Sequence, residues 1–371
     1  MWLFVGRALL VAPPRGTGAR VVDPLRGRDP REISGFRLVG RLGQGSMGVV
    51  YLGYRSPRPV AIKVVQPALA DDPAFRRRFA QELEAIRRVG GFHTAALVDA
   101  DADAEQPWIA TEYIPAPSLD RLLDRHGPVR ELGGWWLAAS IADALMHIHS
   151  VRLLHRDLKP SNVMVTRLGV RVIDFGVSHV SGATGLTSGE YPVGTLAYMA
   201  PEQARDSRRA SEPADVYSLG ATIVHAVTGH PPFYAQQHLQ RTLDTAPDLS
   251  GLPEGLREMI VGALSYAPED RPTAQMVLAA AMDRLLEDAV TLSSPPLPDG
   301  FLADVLLADS SPPAEAAPPA APEADMAESA PLPPPAGSAE PAAAAASGGG
   351  AEPWADRWRG KIRDRRSDFG G

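Results

Sequence analysis

The chain has 371 residues, 44% hydrophobic and 22% charged, which suits a soluble globular protein of two domains or one large bilobal domain with extra segments. Its net charge of −7 is local: residues 289–350 hold eight acids and no base, while 1–288 are near neutral with 31 bases and 32 acids, which excludes a basic body that coats nucleic acid. The chain has no cysteine, which removes disulfides, cysteine nucleophiles, iron–sulfur clusters and thiolate zinc sites and is compatible with the reducing cytoplasm.

Residues 1–32 open on a short apolar stretch broken by Arg7 and run into Pro/Gly/Arg-rich sequence. The order of charge, apolar run and small residues is not that of a signal peptide, so a flexible extension is expected. A globular pattern follows over 33–288. Period-two runs predict strands over 36–41, 49–53, 60–65 and 108–113, and Phe75, Phe79, Leu83 and Ile86 predict a helix over 73–89. After about residue 117 the texture is mainly helical. Strands followed by helices predict an α+β arrangement of a small sheet-rich lobe, 33–112, and a larger helical lobe, 113–288. The apolar stretches 133–151 and 216–229 read as buried helices, the first interrupted by Asp143 and two histidines and the second too short for a bilayer, so no transmembrane segment is expected.

Four clusters carry chemistry. Gly43-Gln44-Gly45-Ser46-Met47-Gly48-Val49-Val50 lies between strand-like segments, where glycines let a hairpin turn bring backbone N–H groups close to phosphates. Lys63 ends the apolar run Val60-Ala61-Ile62 on the face of Ala61 and Val65, with Glu82 on the next helix as its expected anion and Glu84 as the fallback. Only three lysines stand against 34 arginines; Lys63 and Lys159 fall in candidate phosphate sites, where a compact ammonium differs from a planar fork. The third cluster, 155–162, puts Asp157, Lys159 and Asn162 within reach of one another: a base for a hydroxyl proton, a cation for a phosphoryl group and an amide oxygen for a metal. Asp174-Phe175-Gly176 follows an apolar strand, and Asp174 could share Mg²⁺ with Asn162.

In this order and spacing, with Ala200-Pro201-Glu202, the helix start at Asp215 and Arg271, the clusters resemble the eukaryotic-like protein kinases over roughly residues 36–280. The resemblance implies a bilobal protein kinase fold, a small β-rich N-lobe with one main helix and a larger α-helical C-lobe. It implies that Gly43, Gln44, Gly45, Ser46 and Gly48 cover ATP phosphates and that Val50 and Ala61 line the nucleotide site. Thr111 falls at the gatekeeper, and the stretch from Glu112 to Ile114 at the hinge. Lys63, oriented by Glu82, holds the α- and β-phosphates; Asp157 is the base, Lys159 steadies the γ-phosphate, and Asn162 and Asp174 hold Mg²⁺, with Mn²⁺ as the alternative. Glu202 is expected to pair with Arg271. Leu158-Lys159-Pro160 and Gly194-Thr195-Leu196-Ala197-Tyr198-Met199 look like the serine/threonine branch, and the composition like its bacterial, actinobacterial members. The partners implied are proteins with Ser/Thr acceptors and a second copy for trans-autophosphorylation at Thr184 or Thr187, with Arg156 as the phosphate receptor; nucleic acid is not implied. A pseudokinase scaffold and a small-molecule phosphotransferase are the competing readings.

Beyond the catalytic body, 289–350 hold 13 Pro and 18 Ala and are expected to be a disordered linker. The segment 351–371 has the spacing of a short helix with Trp354, Trp358 and Ile362 on one stripe, either a docking helix or a solvated tail.

Overall fold

A computed structural model describes residues 22–45, 47–55, 57–175, 196–233, 246–290 and 295–310. The alternating strands of the first part form one antiparallel sheet of β1 (Glu32–Ile33), β2 (Phe36–Gln44), β3 (Gly48–Arg55), β4 (Arg58–Val65), β5 (Leu97–Asp101) and β6 (Trp108–Glu112). Their spatial order is β1-β2-β3-β4-β6-β5. The register sets Lys63 opposite Val50 on one side and Ile109 on the other, and Ala61 opposite Thr111, so period-two alternation brings these side chains to one face.

Between β4 and β5 run α1 (Pro67–Ala70) and α2 (Pro73–Ile86). Asp72 caps α2 by accepting from the Ala74 amide at 2.8 Å, and Pro73 supplies its first residue, the usual chemistry of a helix start. Phe75, Phe79, Leu83 and Ile86 are buried and pack with Val65, Ile109 and Phe175.

The second part contains α3 (Leu119–His126), α4 (Glu131–Ser150), the hairpin β7 (Val163–Thr166) and β8 (Gly169–Val172), α5 (Pro201–Arg205), α6 (Glu212–Thr228), α7 (Glu254–Ala263), α8 (Ala274–Glu287) and α9 (Asp299–Ser310). Helix α4 is apolar on every side because other elements surround it, as expected of a core helix. A Cβ on Gly134 would lie 2.7 Å from Val227 Cγ1, so glycine is what lets α4 approach α6 this closely. Among the described residues no helix is long and apolar enough to cross a membrane.

The structure moves two expected boundaries. Helix α9 lies inside the stretch expected to be a linker. Its Phe301 and Val305 are buried in the core of the helical lobe, and Asp304 Oδ2 accepts from Arg125 at 2.7 Å and from His126 Nε2 at 2.9 Å. The prolines that set the average over 289–350 stand at 295, 296 and 298 and beyond residue 311, so 299–310 are free of them. At the other end, residues 22–32 are not free. The Asp23 and Arg41 backbones pair, and the buried Asp29 carboxylate accepts from Arg41 Nε at 2.7 Å and Tyr51 Oη at 2.9 Å. Polar contacts hold this segment, which hydrophobic patterning cannot reveal. The linker residues 311–350 and the segment with Trp354, Trp358 and Ile362 lie outside the described residues.

If α9 is part of the core, Phe301→Ala lowers the unfolding free energy by about 3 kcal/mol or more, the cost of a buried aromatic cavity. Leu306→Ala on the same helix, 52% exposed, costs about 0.5 kcal/mol or less by the same measurement in urea.

Candidate active site

The cleft between the two lobes is lined by Val50, Ala61, Lys63, Thr111, Asp174 and Phe175, with Ile86, Ala95 and Ile109 behind them. Five of the residues selected from sequence meet here: Val50, Ala61, Lys63, Thr111 and Asp174. The glycine-rich turn closes through the Gly45 amide on the Gly48 carbonyl at 2.9 Å. A Cβ on Gly48 would fall 1.8 Å from the Val64 carbonyl oxygen, whereas Gly43 and Gly45 face open space. Gly48 is therefore required by packing, whereas a side chain at the other two would meet no neighbour. Gln44 receives Arg41 at 3.2 Å; Ser46 lies outside the described residues. Glu112 and Ile114 follow the end of β6, Glu112 bonded by its amide to the Ala96 carbonyl and paired with Arg171 at 2.6 Å, and Ile114 accepting from the Ala116 amide at 2.8 Å.

The candidates Asp157, Lys159 and Asn162 stand on the loop 153–162. Lys159 Nζ reaches both oxygens of Asp157 at 2.9 Å. Asn162 Nδ2 donates to the Asp157 carbonyl at 2.8 Å and to its carboxylate at 3.2 Å, so the amide oxygen of Asn162 is the end left for a cation. The Ile173 amide donates to the Asn162 carbonyl at 3.0 Å, which sets the backbone of Asn162 beside the segment carrying Asp174. An amide oxygen and a carboxylate on one rim suit a hard divalent cation that takes its other ligands from phosphate and water.

Asp215, in the first turn of α6, holds this loop. Its carboxylate accepts from the amides of His155 and Arg156, each at 2.8 Å, and from His149 Nε2 at 2.8 Å. Burial pushes the Asp215 carboxyl up, but the hydrogen bond and charge of His149, with the His155 charge and the Arg156 amide, more than offset it, and the net displacement is down. His155 is fully buried, and burial lowers its pKa. Arg156 adopts a left-handed backbone with φ +65, and Asp174 one with φ +61; such conformations persist where the surroundings hold them.

The charge pairs across the lobes differ from the expected ones. Lys63 Nζ lies 3.5 Å from Asp174 Oδ2, and Glu82 Oε1 lies 3.8 Å from Arg156. Lys63 and Glu82 form no ion pair with each other among the described residues. The fallback is excluded, because Glu84 is 77% exposed and faces Arg87. Helical spacing fixes the face of α2 that carries Glu82, but the rotation and depth of α2 under the sheet decide which cation that face meets. Burial raises the Glu82 carboxyl to about 7, against the pull of Arg156 and Arg78, and its Oε2 is buried without a hydrogen bond.

The protein kinase domain family model matches residues 36–281. The chain belongs to this family. AfsK of Streptomyces coelicolor, a serine/threonine-protein kinase, is 50% identical over 256 residues, covering 68% of this chain and 32% of AfsK. PkwA of Thermomonospora curvata, a probable serine/threonine-protein kinase, is 44% identical over 264 residues, 70% of this chain and 35% of PkwA. The chain thus spans about a third of the length of these relatives. The crystal structure of the Mycobacterium tuberculosis PknI kinase domain is 30% identical and superposes with a TM-score of 0.54, covering 68% of this chain and 97% of that one.

Within this kinase domain the expected Glu202–Arg271 pair is present and bidentate, at 2.7 and 2.8 Å. Arg271 also donates to the carbonyls of Pro213, Ser265 and Tyr266, which satisfies a guanidinium that is fully enclosed. Sequence reasoning did not select His149 or Gln203. For His149 a signal existed, a histidine six residues before His155 at the end of an apolar helix; for Gln203 there was none beyond its place next to Glu202. Residues 176–195, with Gly176, Thr184, Thr187 and Thr195, lie outside the described residues.

The Glu82 displacement has a defined sign. The unfolded chain gives up this proton near the ordinary 4.5 and the folded chain near 7, so the folded state is favoured at low pH and loses that advantage as pH rises from about 4.5 to 7. Glu82→Gln, which cannot ionise, removes the dependence. Urea unfolding at pH 5 and pH 7.5 is expected to show wild type losing about 2–3 kcal/mol relative to the variant; parallel curves contradict the assignment.

Proposed function

We propose that this chain is an ATP-dependent serine/threonine protein kinase that transfers the γ-phosphoryl group to protein hydroxyls in bacterial signalling. The observation that carries the reading is the loop 155–162, in which Asp157, Lys159 and Asn162 are bonded to one another and fixed to the core by Asp215. In this reading Asp157 accepts the proton of the acceptor hydroxyl, and Lys159, already on both of its oxygens, neutralises charge on the transferring group. Asn162 and Asp174 would hold Mg²⁺, or Mn²⁺ in its place, which supplies charge neutralisation on the phosphates. Gly43, Gln44, Gly45, Ser46 and Gly48 would cover the phosphates, Val50, Ala61 and Thr111 would face the base, and the stretch from Glu112 to Ile114 would meet its edge. Lys63 would hold the α- and β-phosphates once released from Asp174. The anchoring of α5 by Arg271 supports a protein substrate over a small molecule, because it fixes the segment 196–200 that flanks the catalytic loop. A reaction that draws on ATP fits a cytoplasmic location.

Regulation follows from the pair that Glu82 makes. A phosphate on Thr184 or Thr187, added by a second copy of the chain, would compete with Glu82 for Arg156 and free Glu82 to orient Lys63. The contact it must break is loose: 3.8 Å, with Glu82 Oε2 and Arg156 Nε both buried and without hydrogen bonds.

With labelled ATP, Mg²⁺ and a generic protein acceptor, wild type is expected to label protein on Ser or Thr, and Asp157→Asn to lose about 10²- to 10⁴-fold in rate, the usual contribution of a general base. Equal rates would eliminate an active kinase and favour a scaffold. Phosphopeptide mapping of active enzyme is expected to find Thr184 or Thr187 occupied, and Thr184→Ala combined with Thr187→Ala to lower activity about 10-fold, the scale of a coupling free energy of 1–3 kcal/mol. Full activity in the double variant would refute this route.

A further inference from the structure

Gln203 has no role in the reading above. It is 3% exposed, sits in α5 beside the anchored Glu202, and donates from Nε2 to the Arg156 carbonyl at 2.7 Å. Arg156 carries the left-handed backbone, and its carbonyl belongs to the peptide plane whose other end is the Asp157 amide. That amide donates to His155 Nδ1 at 3.2 Å, while the preceding amides of His155 and Arg156 are taken by Asp215. Asp215 therefore fixes the chain up to Arg156, and Gln203 holds the next plane, the one from which the Asp157 side chain departs.

A second observation separates this role from plain packing. Gln203 Oε1 is buried without a hydrogen bond. A buried orphan acceptor costs stability, and that cost is offset by the bond the donor half makes to the Arg156 carbonyl. The half of the amide that is satisfied is the half that meets the catalytic loop.

We propose that Gln203 is a positioning residue for Asp157. It passes the rigidity of α5, itself held by the Glu202–Arg271 pair, to the peptide plane that aims the base. The segment next to the acceptor and the base itself are then fixed to one short helix. The proposal rests on the kinase reading of Asp157.

The test is Gln203→Met in the full chain, which keeps the side-chain length and removes the donor. Three measurements are compared with wild type: kcat and KM for ATP with a protein acceptor, the melting temperature, and hydrogen exchange in the peptide spanning 153–160. The expected result is a kcat about 10- to 100-fold lower, as a misplacement of about 1 Å produces. KM for ATP should stay within about threefold, the melting temperature should change little, because relief of the orphan Oε1 offsets the lost bond to the Arg156 carbonyl, and exchange at 153–160 should be faster. A variant with wild-type kcat and wild-type exchange overturns the proposal. So does one in which kcat, KM and melting temperature all worsen together, because that is a packing defect. If no protein acceptor is labelled by wild type, the kinase reading falls by that result, and exchange at 153–160 still decides whether Gln203 holds the loop.

Discussion

The buried carboxylate of Asp215 is the constraint on which the site depends. An ionised carboxylate with 1% of its side chain exposed costs several kcal/mol in lost hydration unless its lone pairs are filled. Here they are filled by two backbone amides and an imidazole. The amides of His155 and Arg156 converge on this one carboxylate, and the left-handed φ of Arg156 falls directly after them, where the chain turns toward Asp157. Its placement in the first turn of α6, near the positive end of the helix dipole, lowers the cost further. Since α6 is buried along nearly its whole length, the loop that carries Asp157, Lys159 and Asn162 inherits the rigidity of the core.

The Arg271–Glu202 pair serves the substrate side in the same way. It ties α5 to the start of α6 through the Pro213 carbonyl. A fully enclosed guanidinium with its donors satisfied contributes orientation more than stability. The consequence is a helical lobe in which Asp157, Asn162 and the 196–200 segment are all referred to one helix, α6.

Much of this was legible in sequence, and the parts that were not share a cause. Strand alternation placed Lys63 on the face of Ala61 and Val65, and the register then sets Val50 opposite Lys63 and Thr111 opposite Ala61. Phe75, Phe79, Leu83 and Ile86 marked the buried face of α2 correctly, because three- and four-residue spacing is a local property. The partner of Glu82 is not local: it depends on how far α2 sits from the sheet and on which cation the loop 153–162 presents. Helix α9 was hidden by averaging composition over a window longer than the helix. The order at Asp29 was hidden because an Arg–Asp–Tyr cluster leaves no hydrophobic period. Gln203 was invisible because nothing in a sequence says which carbonyl an amide will meet.

The lengths of the charge contacts divide the molecule into parts that are fixed and parts that exchange. Contacts internal to the helical lobe, at Asp215, Glu202 and Asp157, run from 2.7 to 2.9 Å and are hydrogen-bonded. Two that reach the sheet lobe and α2, Lys63 with Asp174 and Glu82 with Arg156, run at 3.5 and 3.8 Å, whereas Arg171 with Glu112 at the end of β6 runs at 2.6 Å and holds the lobes together there. At the two longer separations the pairs gain Coulomb attraction but not the directional bond that makes a charge-assisted contact strong. Exchange of partners between them then costs less than breaking the contacts at Asp215, Glu202 or Asp157. A domain built this way would keep Asp157, Lys159 and Asn162 in place while Lys63 and α2 change partners, and under the proposed kinase reading control would act on the sheet lobe and leave the helical lobe fixed.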